Sequence, residues 1–333
     1  MRYEEGAMRA TALMLQQDLS LSVGERVIPE PQTGEVVVDV DWAGICGSDL
    51  HVLRSGDWVA YWPATLGHEV AGRVRRSEHP RFRPGDLVVA DSRIPTRAAD
   101  GRLRADRLAA GLQWLGEAQP GGFAQSMVIP GESLYAVPAG LDTVDAVLAE
   151  PLAVVMCAID QVGASDPASV LLLGYGPIGA LAHAEIARRW PAAVCSVIDP
   201  NERRAQLARE QGAQVLGARE ERRFDLVVDA AGYPDSLIEA VHAAKFGGRV
   251  LLIAIGHAPS TVHPADIVER SLHVVGSVGF DDAHLERALA AIAADPGAFN
   301  PIVTHKVPLD EVPQFLADER HRDAVKVLIG CAR

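Results

Sequence analysis

A chain of 333 residues, 48% apolar with only 5% aromatic, has room for two domains with aliphatic α/β cores and lacks the aromatic content of a β-sandwich. Its formal charge of −13, from 31 basic against 44 acidic residues, argues against nucleic acid or an anionic membrane surface as partner. Cys46, Cys157, Cys195 and Cys331 are scattered without paired spacing, which speaks against a disulfide framework, and neither a secretory signal nor a charge-free run near ~18 residues is seen, so a cytoplasmic location is expected.

The first seven residues read as a frayed leader, and a strand is expected over 9–15. Residues 36–42 alternate, with Val36, Val38, Val40 and Trp42 on one face and Val37, Asp39 and Asp41 on the other, the pattern of a half-buried strand. It delivers the chain into AGICGSDLH, where Cys46, Ser48, Asp49 and His51 crowd together. An aromatic stretch with Trp58, Tyr61 and Trp62 follows, serving either packing or a pocket wall, and leads to GHEVAGRV at 67–74. Residues 81–90 and 121–130 each read as a turn and a strand. The lobe between them, 91–120, is polar and basic, with five arginines, Arg93 among them, expected to be solvated, although one could reach an anionic group. Short strands broken by Pro and Gly turns predict a small, mostly antiparallel barrel up to about residue 140. A helical pattern over 143–162 bridges onward, with Gly163 as its stop.

The second half turns on residues 170–199. A buried strand, 170–173, is followed by Gly174, Gly176 and Gly179 in the G-x-G-x-x-G pattern as a helix begins, with Pro177 and Ile178 in its first turn. Gly174 permits the tight turn, Gly176 the approach of a diphosphate and Gly179 close packing of helix on strand. A second strand ends in Asp199, 20 residues past Gly179, where a carboxylate accepts bonds from ribose hydroxyls and repels a 2′-phosphate. The fingerprint favours NAD over NADP, although Arg203 and Arg204 could pair with an adenosine phosphate. Alternating helices and strands to residue 278 imply a doubly wound parallel sheet, and two helical patterns and a closing strand follow 282.

Cys46, His68, Glu69 and Glu150 are residue types that bind zinc, too far apart for a zinc-finger knuckle and suited to a site assembled in three dimensions with one position open. Such an ion would acidify an alcohol, whose hydride a nicotinamide could take. AGICGSDLH, GHEVAGRV, AEPLAV and the nucleotide fingerprint occur in the order found in zinc-dependent medium-chain alcohol dehydrogenases, and from about residue 9 to 329 the chain resembles the polyol branch of that family, with sorbitol and threonine dehydrogenases.

The resemblance implies a GroES-like β-barrel catalytic domain over 1–143, joined by 285–333, and a Rossmann NAD-binding domain over 144–284. It makes Cys46 and His68 zinc ligands, with Glu69 and Glu150 alternating as ligand or partner of the zinc-bound water. Ser48 would take the alcohol proton and pass it through the cofactor ribose to His51. Read alone, Ser48 could cap a helix beginning near Asp49, and Glu69 could be an ion-pair partner beneath the metal. Cys157, Cys195 and Cys331 read as inert. Many relatives carry a second, structural zinc on four cysteines in the segment corresponding to 91–119. That segment here has none, so one catalytic zinc per subunit is expected. Pairing through the nucleotide domains, near 249–255 and 273–279, would give a homodimer or homotetramer. The resulting expectation is a secondary-alcohol dehydrogenase acting on a small polyol, cyclitol or amino-alcohol. A zinc-free NADPH-dependent quinone or enoyl reductase would lack the ligand set and the acid at 199, and a non-catalytic dinucleotide-binding protein would have no reason to keep both metal set and relay.

Overall fold

In a computed structural model, describing residues 8–94, 113–163, 166–217 and 222–332, the chain builds two principal sheets. It opens with an antiparallel hairpin, β1 (Met8–Leu15) and β2 (Leu21–Ile28). The valine-rich β3 (Glu35–Gly44) then forms the centre of the first sheet. Val36, Val38 and Val40 face its main core, and Val37 is also buried, because the hairpin lays Ala10 and Ile28 over the other face. The expected half-buried strand is therefore covered on both sides over its first half.

After β3 come α1 (Gly47–Ser55), β4 (Glu69–Ser77) and β5 (Leu87–Ala90). The short pair β6 (Arg93–Ile94) and β7 (Gln113–Trp114) flanks the lobe, and β8 (Ser126–Pro130) and β9 (Leu134–Ala136) follow. The leader and the central lobe, 95–112, with Arg97, Arg102, Arg104, Arg107 and most of the cysteine-free stretch, lie outside the described residues. Arg93 is not solvated but is the arginine that reaches anionic groups: it is 1% exposed, its Nη2 lies 2.7 Å from Asp91 and 3.0 Å from Asp282, and it covers the Phe280 ring.

The bridging pattern divides into α2 (Thr143–Ala146) and α3 (Ala149–Gln161), Pro151 standing in the first turn of α3 where its missing N–H costs nothing. Gly163, at φ +90°, takes the chain out of the helix in a conformation that favours glycine.

Next are β10 (Ser169–Leu173), α4 (Pro177–Arg189), β11 (Val194–Ile198), α5 (Glu202–Glu210), β12 (Gln214–Val215) and β13 (Phe224–Asp229). Then α6 (Ser236–Ala243), β14 (Ala244–Leu252), α7 (Pro264–Val268) and β15 (His273–Gly276) complete a six-stranded parallel sheet in the order β12-β11-β10-β13-β14-β15. Strand order reverses between β10 and β13, and ligands of such sheets bind in the crevice beyond the strand ends at that point.

The helix α8 (Asp282–Ala294) packs on α3, and the chain then re-enters the first sheet. β16 (Val303–Pro308) pairs in parallel with β17 (Lys326–Gly330), with α9 (Val312–Ala317) between, and β17 closes the free edge of β3. The largest core runs through α3, β10 and Leu328, joining both sheets. No helix among the described residues is long and apolar enough to cross a membrane.

Candidate active site

Cys46 stands where β3 gives way to α1. It is the extended residue before the helix, and Asp49 Oδ2 accepts its N–H at 2.9 Å, so Cys46, not Ser48, caps α1. Antiparallel pairing places Gly44 opposite Glu69, which brings the start of β4 beside the cysteine. As a result Cys46, His68 and Glu69 each offer a donor atom within 4.8 Å of the others. A thiolate, an imidazole and a carboxylate that leave a position open make a donor set suited to zinc.

Asp49, almost fully buried, also turns Oδ1 toward His68 Nδ1 at 3.6 Å and accepts the N–H of Gly67 at 3.3 Å. It thereby orients the imidazole and cysteine together, the work of a metal site's outer layer. Burial acts to discharge His68, but Asp49 and Cys46 outweigh it and hold the imidazole well above its ordinary value. The motif CGSD contains Asp49, and its carboxylate three residues after a cysteine was the sequence signal for this role.

Beneath the cluster, Glu69 is ion-paired with Lys326 of β17, both side chains buried, and Lys326 Nζ also donates to the Ile45 carbonyl at 3.0 Å. A Cβ on Gly44 would stand 1.9 Å from Glu69 Oε2, so only glycine leaves room for this pair. Lys326 was not singled out in the sequence. Glu150, in the first turn of α3, stands outside the three-donor group, beside it and buried. Burial pushes its carboxyl up to about 7, Glu69 adding to the rise while His68 and Lys326 oppose it.

Ser48 is half-buried in the first turn of α1. His51, one helical turn farther on, is not freely open to solvent: its Nε2 lies 3.0 Å from Asp57 Oδ2 and its ring stacks on His257, from the loop after β14, at 4.2 Å. Trp58 lies against His51 at 4.6 Å between ring centres and is 44% exposed. Tyr61 serves its own turn, donating its hydroxyl to the Thr65 carbonyl at 3.0 Å, and Trp62 packs near Gly56. All four cysteines are free thiols, Cys195 and Cys331 buried.

Cys46 lines one end of a cleft of about 900 Å³ whose far wall is the glycine turn, with Gly174, Gly176, Pro177 and Asp199. Gly174 has φ +88°, and a Cβ on Gly179 would meet the Gly174 carbonyl oxygen at 2.1 Å, which explains both glycines sterically. Over Gly176, by contrast, a Cβ would find nothing nearer than Arg204 Nη1 at 3.9 Å, leaving space at the start of α4 of the kind a diphosphate requires. Ile178 follows in the same first turn. Asp199 Oδ2 accepts the Tyr175 N–H at 2.7 Å and Oδ1 that of Asn201 at 2.8 Å, fixing the carboxylate at the cleft edge. Arg204 donates to the carbonyls of Ala324 and Arg322, and Arg203 lies outside, 3.3 Å from Asp323.

Known families match this architecture along the chain. Residues 32–139 match the alcohol dehydrogenase GroES-like domain and 143–331 the glucose dehydrogenase C-terminus. D-altritol 5-dehydrogenase of Agrobacterium fabrum is 30% identical over 308 residues, 88% of this chain and 91% of that protein. The structure of 2R,3R-butanediol dehydrogenase from Bacillus subtilis superposes with a TM-score of 0.86 at 25% identity, covering 96% of this chain and 99% of that one. A dehydrogenase from Sinorhizobium meliloti, solved with bound NADP, does so with 0.84 at 29%, covering 97% and 99%. With Cys46 of the three-donor cluster and the glycine turn lining one cleft, the chain belongs to the zinc-dependent medium-chain alcohol dehydrogenases.

Proposed function

We propose that this protein oxidises a secondary alcohol, a polyol, cyclitol or amino-alcohol, with NAD as hydride acceptor and one catalytic zinc. The observation that carries the reading is that Cys46, from the three-donor cluster, and the dinucleotide turn line the same cleft. Zinc held by Cys46, His68 and a carboxylate from Glu69 or Glu150 supplies a Lewis acid that makes an alcohol a stronger acid. Ser48, two residues from Cys46, receives the alcohol proton, and His51, paired with the exposed Asp57, carries it outward. Asp199, held by two backbone N–H groups, accepts bonds from the adenosine ribose and selects NAD, although the Sinorhizobium relative binds NADP.

The altritol and butanediol dehydrogenases support a hydroxylated substrate of this kind. Residues 1–143 with 285–333 constitute the catalytic domain and 144–284 the nucleotide domain. Subunits pair through the outer edge of the parallel sheet, where Val274, Val278 and Ile255 are exposed, into a homodimer or a larger homo-oligomer in the cytoplasm. The test is metal content per subunit, followed by reduction of NAD and of NADP across sugar alcohols, inositols, aminocyclitols and short diols. One zinc with NAD-linked turnover is the expected result, and metal-free protein of undiminished activity would overturn the mechanism.

A further inference from the structure

The turn between β7 and β8 is stitched to the residues that lead into His68. The Gly121 N–H donates to the Thr65 carbonyl at 2.8 Å, that of Gly122 to Gly67 at 2.8 Å and that of Phe123 to Leu66 at 2.9 Å. Gly116, at φ +88°, lies so close that a Cβ there would stand 3.0 Å from the Gly67 nitrogen. On its other side the turn is joined to the aromatic stretch with Trp58, Tyr61 and Trp62, because the Ala60 N–H donates to the Glu117 carbonyl at 2.9 Å. Glu117 therefore belongs to the wall around the metal-capable cluster.

Its carboxylate has no task within the protein. Asp49 spends its oxygens on the Cys46 and Gly67 N–H groups and on His68, and Glu69 is held by Lys326. The half-buried Glu117 side chain makes no hydrogen bond or ion pair with any described residue, and the three-donor group does not include it. Burial raises its carboxyl; His68 opposes the rise, Asp49 adds to it, and no lysine or arginine of the described residues acts on it. A carboxylate drawn partly out of water without a partner is costly to keep there, so its complement is a group from outside the chain.

An alcohol whose oxygen meets the cluster turns its remaining groups toward the surrounding wall, and such sites fix orientation with few polar groups. A carboxylate in that wall accepts bonds from a hydroxyl or an ammonium and repels a second carboxylate or a phosphate. Glu150, also beside the cluster, adds to that repulsion when ionised.

We propose that Glu117 determines specificity in the substrate site: its carboxylate accepts a hydrogen bond from a hydroxyl or ammonium next to the carbinol, so the site takes diols and amino-alcohols and refuses hydroxy acids and alcohol phosphates. The inference rests on the dehydrogenase reading above and names the part of that substrate class the site prefers.

The experiment is turnover by the zinc-loaded protein with NAD on four related substrates, 1-amino-2-propanol, 1,2-propanediol, 2-butanol and lactate. Beside the carbinol these carry an ammonium, a hydroxyl, a methyl group or a carboxylate. In the wild type kcat/KM for the first two should exceed that for 2-butanol by about tenfold or more, with lactate last. Glu117→Gln should erase the advantage of the amino-alcohol, chiefly through KM, and narrow the gap to lactate, whereas Glu117→Asp should restore part of that advantage. Binding of 1-amino-2-propanol to the NADH complex, read from nicotinamide fluorescence, should weaken about tenfold in Glu117→Gln. An unchanged order and unchanged binding in Glu117→Gln, or a wild type that prefers lactate, would overturn the inference and leave the dehydrogenase reading intact. Loss of bound zinc in Glu117→Gln would assign the residue to the metal site and overturn it as well. A zinc-loaded wild type that reduces NAD with none of the four would overturn both readings.

Discussion

Lys326 and Glu69 form a fully buried ion pair directly under the metal-capable cluster. Removing one partner of such a pair typically destabilises by about 3–5 kcal/mol, because the remaining charge is left without water or partner. Lys326→Met should therefore lower the stability of the metal-stripped protein by that order, measured by thermal unfolding in chelator. Zinc should restore part of the deficit, since Glu69 can then turn to the ion. Equal losses with and without zinc would show that Glu69 does not serve the metal. Cys46, His68 and Glu69 were legible in the sequence as metal-binding residue types within short motifs, and their roles as ligands came from family likeness. Lys326 was not, because it meets Glu69 only when β17 pairs with β3, at the other end of the chain. His257 escaped for the same reason: the ring it stacks on comes from a distant element.

At the level of elements, Asp160 of α3 clamps three helices together. It pairs with Arg189 of α4 and, from α8, with Arg287 at 2.6 Å and His284 at 3.2 Å. Burial works against its charge, but the bonds from Arg287 and Arg189 bring the carboxyl down to about 2. A carboxyl depressed in the folded state stabilises fully above its unfolded value near 4 and ceases to do so as pH falls through about 2. With a side chain 31% exposed, Asp160→Asn should cost about 1–2 kcal/mol at pH 7 by urea unfolding. The variant and wild type should converge near pH 2, and a constant difference down to that pH would assign the loss to packing. Strands β10, β11, β13 and β14 were legible because burial leaves unbroken aliphatic runs, whereas the two-residue β12 was not anticipated. β2 was not anticipated: Ile28 is its one buried residue and Gly24, Glu25 and Arg26 interrupt any alternation. The break between α2 and α3 was also hidden, because the sequence stays apolar through it and tertiary contacts cover both sides.

For the whole molecule, the outer edge of the parallel sheet is unpaired among the described residues. β15 ends the sheet, and Val274 is 37% exposed, with Val278 and Ile255 at 61% each. Unpaired edges with apolar flanks invite a second copy. Val274→Lys combined with Val278→Lys should convert the proposed homo-oligomer to monomers in light scattering while leaving NADH binding in place, and a wild type that is already monomeric would remove this interface. The doubly wound half was readable from its alternation alone. The return of the chain to the first sheet came from family likeness, since nothing local in residues 326–330 announces which strand they will join.

That return also has a consequence during synthesis. A ribosome adding about 5–20 residues each second needs on the order of 15–55 s between releasing the end of β3 and releasing β17. Late in that interval the six parallel strands, once released as one contiguous stretch, assemble, whereas residues 42–44 of the valine-rich β3 still wait for their partner strand and Glu69 for its lysine. The nascent chain is thus most exposed to mispairing in the half that translation delivers first, and the metal-capable corner is among the last parts of the protein to become whole.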